Sequence, residues 1–286
     1  MDTLLQFQWN HIKDSKQKYQ VTFQTLKPLL IQKLEQRLID LKTSKRGRKR
    51  TVDLGKVWDC LWAIVDNGIK MSYVTRFYGL SKGTLYYYFN IIKETGLVTE
   101  LYQSIISQHF THQPPEYLIT DSFTVKSMDG SSGIGRNPTD RGRKGIKVSL
   151  ICDDRKIATA VHISSANTHD SKLLVPTCNE SFTNLTGMEC LADSAYTGNK
   201  YIQRVRDATS IALISKPKRM SNGKPSHVLT SDQQVKIIHR NRIEHLNGHI
   251  RRFRGLMIKY TKTVKSYETL LFIALLVISS YLIFVK

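Results

Sequence analysis

The sequence predicts an α/β protein (α+β overall), with an N-terminal helical domain followed by a mixed-sheet domain carrying flanking helices. Three observations predict it. Residues 52–93 repeat apolar side chains at helical spacing with a glycine turn between short segments. The diproline stretch HQPPEY (112–117) ends that pattern, and strand-like runs then alternate with helical ones. In the stretch 236–256, Ile243, Leu246, Ile250 and Phe253 fall on one helical stripe. The expected domains are therefore 1–50 (a helix and basic linker), 51–112 (helical) and 113–286 (mixed sheet).

Charge narrows the class of partner. The 286 residues carry a formal net charge of +20, clustered at Lys45–Arg50, Arg141–Lys147, Lys216–Lys224 and Arg251–Lys265. Clustered cations favour a polyanion, and nucleic acid above an acidic protein or a membrane. Cys60, Cys152, Cys178 and Cys190 lack metal-ligand spacing and read as reduced core residues. The N-terminus shows no cleavable signal pattern. The apolar run LLFIALLVISSYLIFV is slightly short for a bilayer span and is expected to be a buried helix packing on a sheet, with no membrane partner.

Residues 16–41 are expected to be helical, with Pro28 close to the start and Leu26, Leu30, Leu34, Leu38 and Leu41 near heptad spacing, a pattern that a short dimerising helix would also give. KTSKRGRKR (42–50) reads as a basic linker. Val57, Leu61, Ile64 and Val65 mark the next helix, residues 71–79 a short one ending at Gly79, and Ser81 caps a third. A short helix, a glycine turn and a capped helix make a helix-turn-helix pattern, although an ordinary helical bundle shares it. Its last helix would direct Lys82, Thr84, Tyr86 and Tyr87 at the major groove of double-stranded DNA.

Beyond the prolines, YLIT leads into Asp121, a glycine-rich segment follows, and KVSLICDD and RKIATAVHIS read as a strand pair turning at Asp153 and Asp154. NTHDSKLLVPTC is expected as a helix capped near Asn167 or Thr168. MECLADSAYTG reads as a strand delivering Asp193, followed by a helix (NKYIQRVRDA), a strand (TSIALIS), a mobile basic loop (KPKRMSNGKPS) and the helix with Glu244.

Two strand-end aspartates and a helical glutamate form an oxygen-rich set. Such carboxylates repel one another unless cations neutralise them, and hard oxygen ligands suit Mg2+ or Mn2+. Two such ions can activate a nucleophile on one side of a phosphodiester and stabilise the leaving oxygen on the other. Asp121, Asp193 and Glu244 are thus the expected catalytic residues and metal ligands. Arg240 and Arg251 share the glutamate's helical face and are expected to contact phosphate or to fix the glutamate. Arg141, Arg143 and Lys144 belong either to a solvated loop or to a strand-guiding contact near the acids, and are carried as DNA contacts. His169 and Asp170 are expected to support the fold or line the site.

ITDSFTVKS around Asp121, SANTHDS at 165–171, LADSAYTG around Asp193 and RNRIEHLNGHIRR around Glu244 carry a resemblance. In this order they resemble insertion-sequence transposases with a ribonuclease H-like DDE catalytic core, a group with Harbinger-type relatives. The family's third-acid signature matches at Arg240, Glu244 and Arg251, while Ile237 stands where the family has a tyrosine. The resemblance implies binding of terminal inverted repeats and target DNA, a homodimer in the active complex, and cleavage and strand transfer with a pair of Mg2+ or Mn2+ ions. The expected residence is the cytoplasm or nucleoid of a bacterium or the nucleus of a eukaryote. A ribonuclease H-like nuclease without strand transfer and a domesticated, non-catalytic DNA-binding protein are the alternatives.

Overall fold

The computed structural model describes residues 15–42, 51–128, 133–221 and 223–285. The N-terminal pattern, most of the basic linker including Lys45–Arg50, and residues 129–132 of the glycine-rich segment lie outside the described residues. The chain divides into two compact units. The first comprises residues up to Tyr102 together with 250–261 and 265–286; the second comprises Gln103–His249 and 262–264.

In the first unit, helix α1 (Ser15–Asp40) buries Leu26, Leu30, Leu34 and Leu38, one every fourth residue. Phe23 on the same helix stacks on Trp62 at 4.6 Å between ring centroids. The leucine face is therefore consumed by the chain's own core, where a dimerising helix would have left it outward. Leu41, beyond the helix, is 51% exposed. Pro28 lies in the body of α1 and not at its start. It sits on the exposed side with Gln24, so water can satisfy the carbonyl that loses its N–H partner.

Helix α2 (Leu54–Asn67) begins at Asp53, whose carboxylate accepts the Gly55 N–H at 2.8 Å. It buries Val57, Trp58, Leu61 and Val65 and stops at Gly68, whose φ of 70° is a left-handed conformation that glycine adopts without strain. Helix α3 (Met71–Tyr78) ends on Gly79, and α4 (Lys82–Glu94) starts at Ser81, whose Oγ accepts the Thr84 N–H at 3.0 Å. Helix α5 (Leu97–His112) follows a break at Thr95 and Gly96.

The second unit is built on a mixed sheet. Strands β1 (Leu118–Ser127), β2 (Gly135–Arg136), β3 (Lys144–Asp153) and β4 (Ala158–Ser165) precede helix α6 (Leu174–Asn179). Strand β5 (Glu189–Ala192), helix α7 (Asn199–Thr209) and strand β6 (Ala212–Ser215) complete it. β3 lies antiparallel between β1 and β4, with Asp121 opposite Leu150, while β5 pairs parallel with β1 and β6 parallel with β5. The short β2 continues the β4 edge of β3 through Gly135 and Arg136. Leu118, Ile151, Ala160, Leu174, Cys190 and Val205 join strands and helices in one dry cluster. Each such aliphatic side chain contributes roughly 1.5–3 kcal/mol on burial. The β3–β4 turn is held by Asp153, which accepts the Ile157 and Arg155 N–H groups at 2.7 and 3.0 Å.

The glutamate-bearing segment is not one continuous helix. It comprises α8 (Ser231–Lys236), a 3-10 stretch (Ile237–Arg240) and α9 (Asn241–Arg251). The expected helix after β4 is likewise split, with a 3-10 turn at Asp170–Lys172 capped by His169 ahead of α6. The basic loop after β6 is a hydrogen-bonded hairpin, with Arg219 bridging Pro225 and the Met220 N–H reaching the Lys224 carbonyl at 2.9 Å.

The chain then returns to the first unit with helix α10 (Val264–Phe284). By length and composition this helix could cross a membrane, yet 72% of its most apolar window is buried in the fold. Within the first unit it meets other helices. Ser279 Oγ lies 3.2 Å from the Tyr102 hydroxyl, the Phe272 ring 5.7 Å from that of Tyr102, and Lys265 Nζ 2.7 Å from Glu94.

Candidate active site

Asp121 does not end its strand as expected: it sits in the middle of β1, half-buried, where the strand emerges from its apolar half but stays paired with β3 as far as Lys126. Burial pushes its carboxyl up to about 6. The Ser122 backbone N–H and the Arg240 charge pull it down, while the charges of Asp193 and Asp170 push it further up. Two other aspartates therefore lie within electrostatic reach. Asn247 on α9 donates from Nδ2 to Asp121 Oδ2 at 3.0 Å.

Asp193 directly follows β5, the parallel neighbour of β1. Its Oδ1 accepts the Ala195 N–H at 2.7 Å and caps a short 3-10 turn, Ser194–Tyr196. Tyr196 is 1% exposed, and among the described residues its hydroxyl has no hydrogen-bond partner. Burial first, then the charges of Asp170, Asp121 and Asp193, hold that phenol well above its usual range.

Glu244 lies in the first turn of α9 and is exposed. Its Oε1 accepts a hydrogen bond from Arg240 Nη2 at 2.8 Å, one turn back in the 3-10 stretch. Asn247, three residues on, is buried, and its Oδ1 is another polar atom without a partner among the described residues. The face that carries Glu244 is thus split, with an exposed ion pair at one end and a buried amide against Asp121 at the other. Arg251, the last residue of α9, is exposed and falls in the first unit. Ile237, half-buried, opens the 3-10 stretch.

Asp170 belongs to this neighbourhood. Its Oδ1 accepts from Ser122 Oγ at 2.5 Å and from Lys147 Nζ at 2.8 Å. Burial raises its carboxyl, but these two hydrogen bonds outweigh burial and hold it below the usual carboxylate range. His169 caps the adjacent turn through Nδ1, and His162 pairs with Glu180 at 2.7 Å.

The donor set suits a hard divalent cation. It offers carboxylate oxygens whose mutual repulsion a cation would relieve, and an unpartnered buried amide oxygen at Asn247. Glu244 is turned to Arg240, and among the described residues no group of three or more His, Cys, Asp or Glu side chains is gathered closely enough to hold a metal ion.

The residues expected to meet DNA lie in both units. In the second, Arg141 has a φ of 50°, Arg143 lies 3.6 Å from Asp140, and Lys144 opens β3; all three are exposed. In the first, Lys82, Tyr86 and Tyr87 are exposed on α4, with Lys82 Nζ 5.7 Å from the centre of the Tyr86 ring. Thr84 is half-buried, its Oγ1 2.7 Å from Ser81 Oγ. Tyr73 and Phe77 on α3 add exposed aromatic surface, Phe77 at 77%.

Sequence spacing does not single out Asn247, Lys147 or Ser122. Asn247 carries the one usable signal, since it shares a helical stripe with Glu244.

A sheet ordered β4-β3-β1-β5-β6 with β3 antiparallel, and with acids on β1 and directly after β5, has the ribonuclease H-like architecture. A family model described as "Transposase DDE domain" matches residues 112–278, more than half of the chain, and the chain belongs to that family. Neither the curated proteins nor the solved structures compared with it gave a match.

Proposed function

We propose that the protein is a DNA transposase that binds the terminal inverted repeats of its element and cuts and rejoins DNA with Asp121, Asp193 and Glu244. The observation that carries the reading is the pairing of the transposase family match with an aspartate on β1 that feels the charge of another directly after the adjacent parallel strand. Those three acids would hold Mg2+ or Mn2+. When bound, such ions neutralise charge developing at the phosphodiester and lower the pKa of a coordinated water or hydroxyl. Asn247 fixes the orientation of the Asp121 carboxylate, and Lys147 and Ser122 do the same for Asp170. Arg240 restrains Glu244 and is near enough to favour the charged form of Asp121, so a phosphate that drew Arg240 away would release Glu244 toward the aspartates.

End recognition would fall to α3 and α4 as a helix-turn-helix, with Lys82, Thr84, Tyr86 and Tyr87 toward the groove. Arg141, Arg143, Lys144 and Arg251 would follow the backbone. Joining two ends calls for at least a homodimer at work, in the nucleoid or nucleus. The test uses DNA that flanks the coding region, incubated with the protein and Mn2+. Cutting at the element boundary and insertion into a second plasmid are expected, with both lost in Asp121→Asn and Glu244→Gln while end binding persists. Cutting without insertion favours a nuclease. Wild-type cutting by both variants overturns the assignment.

A further inference from the structure

The hairpin after β6 reads in sequence as a loose basic loop, but it is pinned to the turn that carries Asp193. Between Ala208 and Ser231 there is no acidic residue, and the hairpin exposes Lys216, Lys218, Arg219 and Lys224. Its base is tied to β5, since the Lys216 N–H donates to the Ala192 carbonyl, next to Asp193, at 3.2 Å. Its strands are tied to each other, with the Ser226 N–H reaching the Lys218 carbonyl at 2.8 Å and the Lys218 N–H reaching Ser226 Oγ at 3.0 Å.

The lock is His227. Its Nε2 lies 2.8 Å from the Ser215 carbonyl oxygen at the end of β6, and a carbonyl accepts, so Nε2 carries the proton. In the neutral ring Nδ1 is then an acceptor, and it lies 3.1 Å from both Thr197 Oγ1 and Ser226 Oγ. Those hydroxyls are 2.7 Å apart. Thr197 closes the 3-10 turn that Asp193 caps. One imidazole therefore joins the sheet, the hairpin and the acid-bearing turn. A run of cations is most often a solvated face. A solvated face has no need of a side-chain network in which the Thr197 and Ser226 hydroxyls and the His227 ring join the hairpin to the turn that Asp193 caps.

We propose that the hairpin from Lys216 to Ser226 is an arm that grips the phosphates of a DNA strand, and that His227 is the positioning residue locking this arm to the Asp193 turn. The proposal rests on the transposase reading for its choice of polyanion. It adds a contact and a positioning residue that the three acids do not supply.

Binding is read without metal, by fluorescence anisotropy of a fluorescein-labelled DNA duplex lacking the element's ends, across a series of salt concentrations. A variant with Lys216, Lys218, Arg219 and Lys224 all changed to serine is expected to flatten the slope of log K against log salt by about 0.9 for each phosphate it no longer neutralises. His227→Ala keeps every cation, so its slope should stay near that of the wild type. In hydrogen exchange, the duplex should protect the hairpin amides of Lys218, Met220 and Ser226 in the wild type but much less in His227→Ala. His227→Gln, which retains a donor for the Ser215 carbonyl, should recover most of that protection. In plasmid nicking with Mn2+, His227→Ala should lower kcat by about 10-fold or more with KM little changed, since misplaced groups cost rate more than affinity.

An unchanged slope in the four-serine variant overturns the arm. Wild-type protection in His227→Ala, or a loss that His227→Gln does not recover, overturns the lock. A wild-type protein that binds but never cuts would sink the transposase reading instead, while slope and exchange would still decide this one.

Discussion

Asp121 is a carboxylate that folding disfavours in its charged form. Its folded value near 6 lies above the ordinary aspartate value of 3.8, with burial the main cause. The penalty is absent below the unfolded value, accumulates as pH rises toward the folded value and is full above it. Asp121→Asn removes it. That variant should be about 1–3 kcal/mol more stable than the wild type near pH 7–8 and show no advantage near pH 4, as read by urea unfolding. Asn247 acts in the opposite sense, because its amide hydrogen bond favours the ionised carboxylate. On the proposed function, Asn247→Ala should move the acid limb of the pH–rate profile for DNA cutting to higher pH and lower the rate by about 10–100-fold, the usual effect of losing a partner that orients a metal ligand, the role proposed for Asp121. A merely structural asparagine would lower stability without moving that limb.

At the scale of elements, close approach of strands sets tolerances on the strand that carries Asp121. Gly145 lies where β1, β2 and β3 meet, and a Cβ there would stand 2.4 Å from the Val125 carbonyl oxygen. Gly145→Ala should cost about 1–3 kcal/mol in urea unfolding, the range for forcing atoms into a packed site. How well each element can be read from sequence depends on its physics. β5 is legible because an apolar run ending in a polar residue marks a strand leaving the core, whereas the same pattern stops β1 too early, since it stays paired with β3 past Asp121; Ser81 is legible as a cap because its hydroxyl satisfies an orphan N–H. The break at Ile237–Arg240 is not, since four residues of 3-10 geometry barely disturb a 3.6-residue pattern. The hairpin is illegible because polar residues held by side-chain hydrogen bonds look like a solvated loop. Asn247 is visible on the glutamate's stripe, but nothing in spacing says that one end of that stripe is buried.

For the whole molecule, α10 is the instructive case. Its sequence is apolar on every side, which predicts burial without naming the surface that covers it. Within the first unit, part of the cover comes from the helices up to Tyr102, through Tyr102 itself, while Lys265 pairs with Glu94. Deleting residues from 264 onward should therefore strip the helices before Tyr102 of part of their own core. Residues 51–112 expressed alone should show no cooperative unfolding transition by circular dichroism. A sharp transition in that fragment would mean that α10 is dispensable to it.

The same path of the chain has a consequence for the order of events in synthesis. The segment proposed to recognise DNA is translated early, yet the helix that closes its core is translated late, after the whole sheet has been made. Helices α2 to α5 must then wait through the emergence of the sheet before they can settle. A nascent chain still tethered to its messenger would thus lack a finished helical unit, the part proposed to bind DNA. On the proposed reading, competence to engage the element would arrive only once Ser266–Ser280 of α10 had been made, and a protein broken off earlier by a premature stop would fail to occupy the ends and block an intact copy.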